Sequence, residues 1–182
     1  MMKRHREDVL VNRPVRVERI PDGSPMDLPA GTLAQITQAL GSAFTLVVSG
    51  QLVRLKGVDA DAIGKTPPAT VALPDKVGVE DLDGLIWQTL STCYDPEIPV
   101  NIVELGLVYR CELEPMEDGQ MRVLIDLSLT APGCGMGESI ADEVCDKVLA
   151  LPLVGEITVN LVFNPPWDRS RMSEAAQLAL GL

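Results

Sequence analysis

Cys134 stands in the run Leu129-Thr130-Ala131-Pro132-Gly133-Cys134-Gly135-Met136-Gly137-Glu138-Ser139, between residues that alternate like a strand and residues spaced like a helix. At a helix N-terminus the unpaired backbone N–H groups and the positive end of the dipole favour a thiolate, and bring a thiol pKa from about 8.5 to roughly 3.5–7.5. A thiolate is both a nucleophile and a metal ligand. The other cysteines lie elsewhere. Cys93 and Cys111 continue the apolar stripes of a helix and a strand, and Cys145 lies beside Val144 and Val148, so all three read as small core hydrophobes. About 16 Å of helical rise separates Cys134 from Cys145, too far to share a metal ion or a disulfide. A site with four ligands from this one chain is therefore not expected.

Nucleophilic chemistry of the Cys–His kind needs a base, and the single histidine, His5, lies in a basic tail. The nearby groups of the right type are carboxylates. Asp95 and Glu97, in the helix stop Asp95-Pro96-Glu97-Ile98-Pro99, can face the same end of a sheet as Cys134, or can simply make an Asp turn. Gly133, Gly135 and Gly137 describe either a tight strand-to-helix turn or a nest of N–H groups open to an anion or a sulfide. Their spacing is not that of a dinucleotide site, and no Gly-Lys-Ser/Thr follows. The run Asn164-Pro165-Pro166-Trp167 is either a polyproline exit from a strand with a packed tryptophan, or an aromatic offered to a partner.

The elements that must position these residues follow from periodicity. Leu82, Leu85, Ile86, Leu90 and Cys93 have helical spacing after the acidic turn Glu80-Asp81-Asp83. Three strands with one apolar face each follow: Leu107 to Leu113, Met121 to Leu129 and Ile157 to Phe163, the first two joined by a turn over 115–120. Ile140, Ala141, Val144 and Val148 mark a helix between the second and third. The order α-β-β-α-β with one buried face per strand predicts an α/β (α+β) two-layer sandwich with a right-handed crossover. Before it, the Pro-rich run Lys65 to Pro74 sets a boundary, so 1–75 is expected to be a separate small β-rich domain with its linker from 65. Its pieces, Val9 to Ile20, Leu33 to Gln38, Phe44 to Val48 and Leu52 to Leu55, suggest a β-barrel-like module. The sandwich occupies 76–170, and the tail 171–182 is expected to hold a short helix capped by Ser173.

The net charge of -11 is uneven: residues 1–75 carry nine Lys/Arg and eight Asp/Glu, the remainder six and eighteen. An acidic half with six aromatics in the whole chain excludes nucleic acid as a partner. No apolar run approaches the ~20 residues that span a bilayer. Residues 1–18 do not form a signal-peptide core, and four cysteines without a CxxC fit a reducing compartment, so a cytoplasmic location away from membranes is expected.

Three segments in order, Asp95-Pro96-Glu97-Ile98-Pro99-Val100-Asn101-Ile102-Val103-Glu104-Leu105-Gly106-Leu107-Val108-Tyr109, Thr130-Ala131-Pro132-Gly133-Cys134 and Val162-Phe163-Asn164-Pro165-Pro166-Trp167, resemble the iron-sulfur cluster assembly domain family over residues 79–170. The first 75 residues, with Leu28-Pro29-Ala30-Gly31-Thr32 and Gly57-Val58-Asp59-Ala60-Asp61-Ala62-Ile63-Gly64, resemble the extension of its SufT-type members. The resemblance implies an α/β sandwich and a non-catalytic role in maturing or delivering iron-sulfur clusters. It also implies a reactive cysteine at Cys134, with Asp95, Glu97 and Thr130 as the polar positions around it. Ala131 and Gly135 depart from the Thr and Pro that several relatives carry there.

The expected mechanism is transient: Cys134 holds iron or a labile cluster that one chain does not bind stably. Asp95, Glu97, a small thiol or a client completes the coordination, and a homodimer would supply two thiolates. The expected partners are iron-sulfur assembly proteins and client apo-proteins. Two rival readings are a pure adaptor that docks partners through the N-terminal module and Trp167, and a thiol enzyme with Asp95 or Glu97 as base.

Overall fold

The computed structural model describes residues 6–67, 71–133 and 135–182. The chain divides into two compact units, Met1–Thr70 and Val71–Leu182, a division that falls inside the Pro-rich run. The architecture is mixed α+β.

In the first unit, strands β1 (Glu7–Leu10), β2 (Val15–Arg19), β3 (Pro25–Leu28), β4 (Leu33–Leu40), β5 (Ala43–Val48) and β6 (Gln51–Lys56) pair antiparallel in the order β1-β4-β5-β6-β2-β3. They surround a core that includes Val17, Leu28, Leu46, Val53 and Leu55. No β1–β3 ladder closes the sheet among the described residues. The stretch read as one piece from Val9 to Ile20 is two strands, because Pro14 has no N–H for a ladder. The break is tied down instead by Arg13, whose guanidinium meets Asp59 at 2.8 Å and Asp61 at 2.7 Å. β3 had no expected counterpart; it starts at a proline, which an edge strand tolerates.

The second unit opens with α1 (Val79–Leu90). Glu80 and Asp81 occupy its first turn, and the Asp81 carboxylate accepts the Gly78 N–H at 3.0 Å, so the helix start is both charged and capped as the dipole favours. The stripe Leu82, Leu85, Ile86 and Leu90 is buried and ends at the fully buried Cys93.

β7 (Val108–Pro115) and β8 (Met121–Leu127) form an antiparallel hairpin, and β9 (Val154–Leu161) lies parallel to β8. A parallel neighbour needs a crossover, which α2 (Met136–Leu149) supplies. Alternation is complete along β8, where Met121, Val123, Ile125 and Leu127 are buried, and both helices share this core with all three strands.

Strand boundaries in this unit differ from expectation, and so does the placement of Cys145. Leu107 precedes β7, its carbonyl accepting the Ser128 N–H at 2.7 Å, and β8 ends at Leu127 rather than Leu129. β9 starts three residues early at Val154 and stops at Leu161, leaving Phe163 44% exposed rather than in the apolar face. Cys145 is half-buried and outside the core cluster, since it lies beside the Val144 stripe and not on it.

Lys147 joins the helices: its Nζ donates to the Thr92 carbonyl at 2.9 Å and to Thr92 Oγ1 at 2.8 Å, and meets Glu143 at 3.0 Å. With only 20% of the side chain exposed, Lys147→Met is expected to lower stability by about 1–3 kcal/mol, because it leaves the Thr92 carbonyl without this donor. A shift in the urea midpoint at unchanged m-value measures it. The tail carries α3 (Glu174–Leu180), whose N-cap Ser173 accepts the Ala176 N–H at 3.0 Å.

Candidate functional site

The β8–α2 connection carries Thr130, Gly133 and Gly135; Cys134 lies outside the described residues. Thr130 is half-buried and Gly133 exposed. Gly135 is the N-cap of α2, which places position 134 one residue before the cap in sequence. Gly137 has a packing reason for its type: a Cβ there would lie 2.5 Å from a Leu129 methyl, so the first turn of α2 runs close against the end of β8. The three glycines thus do not share one cause.

The two carboxylates share one turn but differ in burial. Glu97 is exposed, whereas Asp95 is 6% exposed, and the Glu97 N–H donates to Asp95 Oδ1 at 2.9 Å in an Asp turn. Burial pushes the Asp95 carboxyl up from the usual carboxylate range; the Glu97 N–H opposes this, and the Glu97 charge adds to it. Burial thus disfavours the Asp95 carboxylate relative to its protonated form.

A relay of backbone bonds connects this acidic turn to the β8–α2 loop. Ile102 N–H donates to the Cys93 carbonyl at 2.9 Å, Leu107 N–H to the Ile102 carbonyl at 3.0 Å, and Ser128 N–H to the Leu107 carbonyl at 2.7 Å. Asp95 stands two residues beyond one end of the relay, and Thr130 two beyond the other. Tyr94 also bridges Asn101, whose Oδ1 accepts from Val103 N–H at 3.0 Å and Glu104 N–H at 2.9 Å. Asn101 and Glu104 did not emerge from the sequence as site residues, although Asn-x-x-Glu has the spacing of a capping box. Ser128 Oγ and the Tyr109 hydroxyl are buried without a hydrogen-bond partner among the described residues, and periodicity alone could not find them.

Trp167 is half-buried against the core, and its Nε1–H donates to the Leu105 carbonyl at 2.7 Å. Its placement is that of the packed reading rather than of a free aromatic awaiting a partner.

Burial pushes Cys111 up to about 11 and also raises Cys145, while Cys93 has no exposed surface. Among the described residues no group of three or more His, Cys, Asp or Glu is arranged to hold a metal ion, and no helix is long and apolar enough to cross a membrane.

The acidic turn, the β8–α2 loop and the three-stranded sheet that carries them lie within a recognised family: residues 85–159 match the iron-sulfur cluster assembly protein family, and the chain belongs to it. Among its relatives, the Fe-S protein maturation auxiliary factor YitW of Bacillus subtilis (strain 168) is 42% identical over 103 residues, 57% of this chain and 97% of that protein. The Fe-S protein maturation auxiliary factor SufT of Staphylococcus aureus (strain USA300) is 39% identical over 88 residues, 48% of this chain and 96% of that protein. A crystal structure of a domain of unknown function, DUF59, from Bacillus anthracis is 40% identical, with 57% of this chain and 94% of that one covered and a TM-score of 0.48.

Proposed function

We propose that this protein is a non-enzymatic accessory factor in the maturation of iron-sulfur proteins, taking iron or a labile cluster as cargo on Cys134 and passing it to client apo-proteins. The observation that carries the reading is that the chain covers 97% of a 42%-identical relative named an Fe-S protein maturation auxiliary factor. The chemistry of the donor set supports it. A thiolate suits iron and cluster sulfide, and the buried Asp95 carboxylate gains from a nearby cation. In this reading the acidic turn and Thr130 complete the surroundings of the thiolate, Gly133 and Gly135 offer N–H groups to a sulfide, and the exposed Glu97 is left for contact with a client.

A single thiolate leaves the coordination incomplete, which keeps the cargo labile. A second copy of the chain, a small thiol or the client supplies the rest. In this reading the second unit is a two-layer sandwich with the cargo loop at the carboxyl end of β8, the first unit is a barrel-like docking module, and the protein works in the cytoplasm.

Anaerobic reconstitution with ferrous iron and sulfide tests the proposal. Cys134→Ser is expected to lower bound iron by more than about tenfold, the lower end of what losing even an outer-shell partner costs a metal site, and to stop client maturation with it. Bound iron and maturation both unchanged in Cys134→Ser would leave the adaptor reading in its place.

A further inference from the structure

The segment after β9 makes a series of contacts with the turn 101–107 that helix formation does not require. Trp167 holds the Leu105 carbonyl. Ser173 N–H donates to the Glu104 carbonyl at 2.9 Å, and the Ser173 hydroxyl donates to the Glu104 carboxylate. Gly106 lies so close to the strap that a Cβ there would be 2.2 Å from the Arg171 carbonyl oxygen. The Arg171 guanidinium stands 4.0 Å from the centre of the Tyr109 ring. Met172 and Ala176 are 7% and 2% exposed, seating the segment in the core on either side of Ser173. The gripped turn is the one whose Asn101 bridges Tyr94, the residue immediately before Asp95.

We propose that Trp167–Ala176 is a strap that positions the acidic turn for cargo transfer, with Trp167, Ser173 and Glu104 as positioning residues. It touches no cargo. It fixes residues 101–106, and through the Asn101–Tyr94 bridge and the Ile102–Cys93 bond it fixes Asp95 and Glu97. This rests on the reading of the protein as a cargo carrier, yet it predicts a metal-free consequence as well. Trp167 closes the last of the three segments that resemble the family, and the strap runs on from it.

The test uses the full chain with Glu104→Ala, which removes the carboxylate that the Ser173 hydroxyl meets but keeps the backbone bond between Ser173 and Glu104 and leaves Ser173 free to cap α3, and Glu104→Gln, which keeps an acceptor. Amide hydrogen exchange is read without metal. In Glu104→Ala the Glu97 and Ile102 amides are expected to exchange about tenfold faster, the effect of losing one hydrogen bond of ordinary strength, while Val123 and Ile125 of β8 stay protected. Glu104→Gln is expected to restore the wild-type pattern.

After reconstitution, Glu104→Ala is expected to slow iron delivery to an apo-ferredoxin by a similar factor, again rescued by Gln. Unchanged exchange at 97 and 102, equal loosening of β8, or faster exchange with unaltered delivery would each overturn the strap. A wild-type chain that takes up no iron would instead overturn the carrier reading, with the exchange measurement still deciding whether the strap positions the turn.

Discussion

Gly106→Ala is expected to destabilise the second unit by roughly 2–5 kcal/mol, the largest stability loss of any single change argued from this structure. Two effects add. The backbone at Gly106 has φ +69, a region where a Cβ costs about 1–2 kcal/mol. The new methyl would also meet the Arg171 carbonyl oxygen at 2.2 Å and its carbon at 2.8 Å, and because these are backbone atoms they cannot rotate away, adding an overpacking cost of about 1–3 kcal/mol. Gly119→Ala separates the two effects. Its φ is +83 but nothing lies within 4 Å of its would-be Cβ, so it should show the backbone effect alone. Urea unfolding of both variants measures the difference; equal losses would mean that the Arg171 segment moves aside freely.

Asp95→Asn is expected to do two opposite things: stabilise the fold at neutral pH by roughly 1 kcal/mol, in the range of typical stabilising changes, and impair iron delivery. Asparagine can still accept the Glu97 N–H, so the turn survives, while the buried charge goes. The sign follows from linkage. Burial holds the folded-state pKa of Asp95 above the unfolded value of about 3.9, so the folded chain binds this proton more tightly and the carboxylate disfavours folding at neutral pH. That penalty disappears as pH falls through the raised folded pKa to below the unfolded one. The stability gap between variant and wild type should therefore be widest near neutrality and close in acid. A variant less stable than wild type at neutral pH would mean that the N–H donors outweigh burial. Delivery unaffected by the change would remove Asp95 from the transfer step.

Patterns of one dimension were readable in the chain, and distances across it were not. The α-β-β-α-β order and the α1 stripe appear in the spacing of Leu82 to Leu90 and in the alternation of β8, because burying one face imposes those periods. The ends of β8 and β9 are not marked in the spacing, because an apolar residue, Leu129 or Phe163, continues the alternation beyond the last ladder pair. In the first unit Pro14 divided what looked like one strand, and an edge strand starting on a proline left no periodic trace. At the site, Asp95 and Glu97 are chemically alike in sequence and differ only in what covers them. The commitment of Trp167 to a carbonyl sixty-two positions away is equally invisible to local spacing, as are the buried hydroxyls of Ser128 and Tyr109, which lack a partner among the described residues.

The placement of the three described cysteines also decides how this protein answers reagents. At pH 7 a thiol with a pKa of about 11 is ionised in roughly one molecule in ten thousand, Cys145 is shifted the same way, and Cys93 presents no surface to attack. To an alkylating tag, a spin label or a stray oxidant under native conditions, Cys93 and Cys111 are therefore expected to stay silent, while the half-buried Cys145 is slowed by the same cause.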